Sequence, residues 1–371
     1  MIKKIIVALL FLSLPVTALA NPVADISDVR NFAGVGNHGF QNYPAQFNLP
    51  YGIAYSGGYL FIADTHNNLI RSVSSSGEVS VVAGEIAGFD LFGFALGGFF
   101  DGGVAYARFD RPVGIAVGEQ GIFVSDSNNH AIRLIQDDGV TTFFYQETEG
   151  QEPEGLNFPT AIVLGEDGEL FVADTNNHAI RVISPSGTIT TVAGTIGQYG
   201  HEDGYQATFN YPMGIALLDS YLFVSDTGNN TIRRVYLPTG YVTTIAGQIL
   251  WSSEVADWYL YDDQDIDNIP LGGFQDGYDA MFNLPIGLVV IGEDLLLVAD
   301  SGNHAIRAIN LTQEMYVTTI AGTGVAGHYN GDAQEAMFHF PTHLAFGTGN
   351  VLFVADTWNN MIRALEIEIL D

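Results

Sequence analysis

The chain has 371 residues, no cysteine, and a formal net charge of −30 from 12 basic against 42 acidic side chains. Disulfides, thiolate metal sites and cysteine nucleophiles are thereby excluded, as is a nucleic-acid partner, which needs Lys and Arg to displace counterions from its phosphates. Both lysines, Lys3 and Lys4, lie within the first twenty residues, so the remainder has no lysine for a Schiff base or a phosphate-binding loop.

Those twenty residues pass from the lysines through an apolar stretch, Ile5 to Leu14, to the small-x-small pattern Ala18-Leu19-Ala20. This predicts a secretory signal peptide over residues 1–20, cleaved after Ala20, and a periplasmic or extracellular destination. The apolar stretch is interrupted at Pro15 and is shorter than the roughly 20 residues a membrane helix needs, so no integral membrane segment is expected after cleavage. With 47% hydrophobic residues, the rest of the chain can bury a large core.

Next comes a strand over 28–34, Val29-Arg30-Asn31-Phe32-Ala33-Gly34, and then a unit that recurs to the end. Its first copy opens with a strand at Pro50 to Ile53 and a buried one at Leu60 to Ala63. The motif Asp-[Ser/Thr]-x-Asn-[Asn/His]-x-Ile-Arg follows from Asp64 to Arg71, and a Gly turn leads to a last strand at Val79 to Ala83. The motif returns at Asp126 to Arg133, Asp174 to Arg181, Asp226 to Arg233, Asp300 to Arg307 and Asp356 to Arg363. Each copy has its own proline-led strand, at Pro112, Pro159, Pro212, Pro285 and Pro341. Four short strands in a period of roughly 40 to 50 residues make a propeller blade.

The sixth copy stops after its third strand, around Met361 to Ile369, and the missing fourth reads like the strand at 28–34. The expected architecture is therefore all-β: a six-bladed propeller of four-stranded antiparallel blades. Its blades fall at about 47–84, 109–145, 158–194, 209–247, 282–322 and 338–369, the N-terminal strand completing the last. One domain over 21–371 uses the whole length and leaves none for a second.

In all six copies the unit resembles the NHL repeat. Because propellers of that kind serve as interaction platforms, the resemblance implies a binding scaffold for a protein, peptide or carbohydrate. It also reaches the peptidyl-amidating lyases, which are zinc-dependent, so a metal-dependent lyase or hydrolase acting on a small molecule at the tunnel mouth is the alternative.

A residue present in every blade serves what every blade needs. The six aspartates are expected to hold turn amides, the asparagines to supply left-handed turn backbone, and the six arginines to act as mortar between blades. His130, His178 and His304 read as turn residues. Two residues before each proline stand Asn48, Asp110, Asn157, Asn210, Asn283 and His339, read first as turn caps and second as a polar ring around the tunnel.

Function is expected where the copies differ. In the sixth, His339 and His343 stand where other blades carry Asn or Asp and Gly or Ala, and His343 is expected to reach the tunnel. With His328 or His201 from a connecting loop, they form a candidate zinc set. Two insertions, 85–100 and 248–273, should overhang the end of the tunnel that carries the Asp-Thr turns. They bring Phe92, Phe94 and Phe99, and Trp251, Trp258, Tyr259 and Tyr261, as candidate ligand-binding aromatics. Within the second, Asp263, Asp265 and Asp267 alternate like the start of a calcium loop that lacks its closing Glu.

Overall fold

Short strands of β-branched and aromatic residues, bounded by Gly turns, assemble into six antiparallel blades of four strands, and the second and sixth blades each gain a two-residue edge strand, Gly102–Gly103 and Gly331–Asp332. The computed structural model describes residues 24–146, 155–252, 269–312 and 314–369. Blade one comprises Pro50–Ser56, Tyr59–Asp64, Leu69–Ser74 and Val79–Ala83. The innermost strands of blades two to six are Pro112–Gly118, Pro159–Leu164, Pro212–Leu218, Pro285–Ile291 and Pro341–Gly347. Each touches its successor, and the sixth touches the first.

The ring closes as the repeat predicts. The N-terminal strand Ala24–Ala33, longer than the expected 28–34, runs antiparallel to Met361–Ile369, with Val29 opposite Leu365 and Asn31 opposite Arg363. The six-bladed, all-β architecture is thereby established.

Each second strand is covered on both faces by neighbouring blades, which is why Tyr221–Asp226 is buried at every residue after its first. The core is six separate layers, one between each pair of blades. Five centre on a fully buried phenylalanine, Phe47, Phe109, Phe209, Phe282 or Phe338, and Leu156 fills the same place between blades two and three. Each such ring contributes roughly 1.5–3 kcal/mol, so the apolar stabilisation is spread evenly around the ring.

The repeated aspartate ends the second strand, and a 3-10 turn follows it. One carboxylate oxygen accepts the backbone N–H of the residue two before the blade's proline, Asn48 through His339, at 2.6–2.8 Å. These amides, rather than those of the 3-10 turn, are what the carboxylate holds. The other oxygen takes the side-chain amide of the asparagine three residues on and the guanidinium seven residues on, as with Asn229 and Arg233 on Asp226. Burial pushes the carboxyls of Asp64, Asp126, Asp174, Asp226 and Asp300 up to about 6 against the pull of these partners, and raises Asp356 as well.

The arginines are not the mortar between blades. Each binds the aspartate of its own blade, and in blades one, two, four, five and six it also donates to a carbonyl of the loop leading into that blade: Gln46, Arg108, Thr208, Met281 and Met337. In those five blades the guanidinium lies 5.1–5.2 Å from the buried phenylalanine, a cation–π contact.

Two other positions join the blades. The hydroxyl after the aspartate donates to the proline carbonyl of the next blade: Thr65 to Pro112, Ser127 to Pro159, Thr175 to Pro212, Thr227 to Pro285, Ser301 to Pro341 and Thr357 to Pro50, at 2.6–2.8 Å. The Asn or His that closes the turn has left-handed backbone, φ between 52° and 56°. Its side chain accepts the backbone N–H of the residue before the next blade's proline. Asn68, Asn230 and Asn360 use Oδ1, and His130, His178 and His304 use Nδ1. Both side chains tolerate that backbone and carry an acceptor at the same reach, which explains why they interchange here.

Thr227→Val keeps the shape but leaves a buried carbonyl unpaired, and should cost about 1–3 kcal/mol in urea unfolding. Arg233→Met strands the buried Asp226 charge and should cost more, about 3–5 kcal/mol. A smaller loss from Arg233→Met than from Thr227→Val would reverse this ranking.

A histidine that accepts at Nδ1 must be neutral there. Burial lowers the pKa of His130 and His304 below the usual 6.5 and that of His178 to about 4. The unfolded chain therefore takes up these protons first, and their stabilising contribution, full above pH 6.5, is lost as pH falls toward 4. Replacing all three with Asn should flatten the fall in unfolding midpoint between pH 6.5 and 4.5; the six aspartates are common to both proteins and cancel in the comparison.

Candidate ligand site at the tunnel mouth

The residue before each proline has positive φ in all six blades: Leu49, Arg111, Phe158, Tyr211, Leu284 and Phe340, at 48–54°. This conformation is unfavourable for a non-glycine residue, on the order of 1–3 kcal/mol each. It persists because the amide at that position is bonded to the previous blade's Asn or His and the following carbonyl to its hydroxyl. Leu49, Arg111, Phe158 and Phe340 thereby stand around one end of the tunnel.

One step deeper, Tyr51 of blade one and Met213 of blade four meet across the axis, with the hydroxyl 4.0 Å from the sulfur. Between this contact and the rim lies a pocket of about 190 Å³, lined also by Thr65, His66, Val113, Thr357 and Trp358. It is off-centre, toward blades six, one and two. Trp358 stacks on Phe340 at 4.8 Å and supplies one wall.

Most polar groups here are already engaged. Thr65 and Thr357 hold proline carbonyls, and the Tyr51 hydroxyl faces sulfur, its proton held more tightly because burial raises its pKa. Burial, followed by the nearby Arg111 charge, lowers the pKa of His66, leaving it neutral at pH 7.

The insertion 85–100 does sit on this end: the Asn68 side chain donates to the Ala95 carbonyl, and Phe94 lies edge-on to His66 at 5.6 Å, on the pocket rim. Phe92 projects into solvent, 86% exposed, on a turn whose amides are held by Asp90. Phe99 serves the scaffold in part, lying 4.9 Å from the Arg133 guanidinium. In the second insertion, Trp251 belongs to a short strand, Leu250–Ser252, paired with Ile269–Leu271, and the Asn230 amide holds the Pro270 carbonyl on the same end. Trp258, Tyr259, Tyr261, Asp263, Asp265 and Asp267 lie outside the described residues.

The sixth-blade histidines have separate surroundings. His339 packs edge-on against Trp358 and His304, whereas His343 faces Tyr51 with ring centroids 5.4 Å apart. His343, expected at the tunnel, is not among the residues that line the tunnel-mouth pocket. A Cβ on Gly52, Gly114 or Gly214 would strike a carbonyl of the next blade, so in those blades close backbone approach, and not open space, accounts for the glycine. The His343 side chain accordingly turns toward blade one; its Nδ1 is buried without a hydrogen-bond partner, and burial lowers its pKa to about 4. His328 bonds to Asn31 of the N-terminal strand. Among the described residues, no three His, Asp or Glu side chains are grouped to hold a metal ion.

The residues two before the prolines pack beneath the 3-10 turns: Asn128 donates to Asp110, and a Cβ on Gly228 would touch Asn210. They are turn partners, and the tunnel ring is formed by the residues that follow them. Sequence reasoning missed Tyr51, Arg111, Met213, Phe340 and Trp358. The available signal was variation at two fixed places in the repeat, before the proline and third in the Asp-Thr motif, where His66, Asn128, Asn176, Gly228, Gly302 and Trp358 stand.

The model of the NHL repeat matches residues 156–183. NHL repeat-containing protein 2 of Bos taurus is 28% identical over 347 residues, covering 83% of this chain and 45% of its own length. The chain thus spans less than half of that relative. Among solved structures, an auxiliary nutrient binding protein from Bacteroides thetaiotaomicron is similar with a TM-score of 0.63 at 15% identity, covering 93% of this chain and 77% of that one. A streptogramin B lyase is similar with a TM-score of 0.54 at 17% identity, covering 92% and 98%. At these identities the structural likeness is one of fold.

Proposed function

We propose that this chain is an exported binding propeller whose ligand places an apolar group in the tunnel-mouth pocket, while the aromatic insertion at 85–100 grips what protrudes. One observation carries the reading. The pocket is walled by the side chains that vary between blades, on a frame whose six copies are otherwise bonded alike. The frame explains why a blade needs its Asp, Arg, Thr and Asn; it gives no reason for Tyr51, Phe340 and Trp358 to converge.

Leu49, Val113, Phe158, Met213, Phe340 and Trp358 favour an aliphatic or aromatic group over a sugar ring, whose hydroxyls would find few unengaged partners. A peptide is therefore favoured over a carbohydrate. The auxiliary nutrient binding protein among the fold neighbours supports a binding role. Export rests on the pattern within residues 1–20, which lie outside the described part.

The test is equilibrium binding of a panel of neutral capped peptides with aromatic or aliphatic side chains, beside neutral oligosaccharides. At least one peptide should bind the parent, and Trp358→Ala should weaken it at least tenfold while leaving the unfolding midpoint nearly unchanged, since Trp358 is half-exposed. Binding should survive chelation. Loss on chelation, with stoichiometric zinc dependent on His339 and His343, would favour the metal-dependent lyase or hydrolase instead. Binding indifferent to Trp358→Ala would place the site elsewhere.

A further inference from the structure

The ten arginines outside residues 1–20 are engaged one after another. Six pair with the blade aspartates, Arg30 with Glu366, and Arg108 with Glu85, while Arg234 lies 5.1 Å from the Tyr221 ring centre. Arg111 is the exception: among the described residues no carboxylate lies within ion-pair distance of its guanidinium and no aromatic ring lies beneath it. It stands exposed on the wall of the tunnel-mouth pocket, in a chain whose acids outnumber its bases by thirty.

Its placement is fixed by the backbone. The Arg111 amide donates to Asn68 at 2.8 Å, and the following carbonyl, that of Pro112, accepts from Thr65 at 2.7 Å. This holds the left-handed backbone from which the side chain departs. Leucine occupies the same place in blades one and five, as Leu49 and Leu284, so the frame does not require a cation there. A guanidinium with no ion-pair partner among the described residues, set beside apolar walls, is a preformed partner for an anion, because a charge-assisted hydrogen bond strengthens as water is excluded.

We infer that the tunnel-mouth pocket binds a monocarboxylate attached to an apolar or aromatic group, with Arg111 taking the carboxylate and Phe340, Trp358, Val113 and Met213 enclosing the body. The inference rests on the pocket being the ligand site and adds the charge of the ligand. With His66 neutral, Arg111 is the one cation lining the pocket among the described residues, which suits a single negative charge better than a phosphate dianion. The C-terminal residue of a peptide and a free aryl- or alkyl-carboxylic acid share this chemistry.

The experiment measures binding of N-acetyl-leucyl-phenylalanine, its C-terminal amide, and phenylacetate to the parent, to Arg111→Leu and to Arg111→Lys. The free acid should bind the parent at least tenfold more tightly than the amide does, a preference that Arg111→Leu abolishes and Arg111→Lys partly restores. Phenylacetate matching the peptide acid would identify a small organic acid as sufficient; much weaker binding would identify a peptide C-terminus. An amide that binds as tightly as the acid, or an acid indifferent to Arg111→Leu, overturns the carboxylate assignment but leaves the pocket standing if Trp358→Ala still abolishes binding. Binding of neither acid also overturns it, and the neutral peptide panel then decides on the pocket itself.

Discussion

The buried carboxylate at the end of each blade's second strand is the interaction on which the tunnel mouth depends. It joins three separate pieces of chain: the amide two before the proline, the asparagine of the 3-10 turn and the arginine that begins the third strand. Asp226 shows the arrangement, held by the Asn210 amide, Asn229 and Arg233. Removing such a charge from water is costly, and the upward shift of these carboxyls expresses that cost. What the interaction supplies is position, since one group with several directional partners admits a single arrangement of turn, strand and incoming loop.

From that fixed turn the joints between blades follow. The residue after the aspartate sends its hydroxyl to the next proline carbonyl, and the residue closing the turn accepts the amide just before that proline. Each X-Pro step is thus held from both sides by the preceding blade, which is how six non-glycine residues remain in a backbone conformation unfavourable to them. The strain is local and its effect is geometric. It presents six side chains at one end of the ring at positions where their identity is free to vary.

The parts legible in the sequence were those the repeat makes redundant. An aspartate seven residues ahead of an arginine, six times over, shows that the pair is structural, and the likeness of Val29–Gly34 to Val317–Gly322 shows how the ring closes. Thr65 and its counterparts receive no role from the sequence, because a hydrogen bond to another blade leaves no mark on local pattern. The left-handed residues before proline were hidden for the opposite reason: local sterics favour an extended conformation there, and the tertiary bonds override it. The meeting of Tyr51 with Met213 joins opposite blades across the axis and has no period at all. The surroundings of His343 were hidden because four other blades carry glycine at its position, and no local pattern shows that a carbonyl of the next blade lies against that glycine.

Closure by the N-terminal strand has a kinetic side. The pairing of Ala24–Ala33 with Met361–Ile369 joins segments from opposite ends of the described chain, so the loop it closes is the longest available and carries the largest entropic penalty. Until it forms, Met361–Ile369 presents an unpaired edge, and the layer between blades five and six lacks Val29. Blades one to five have all their strands contiguous in sequence and can assemble before that. The ring therefore behaves as a nearly complete arc awaiting one strand, and a segment synthesised before all six repeats is among the last to find its place.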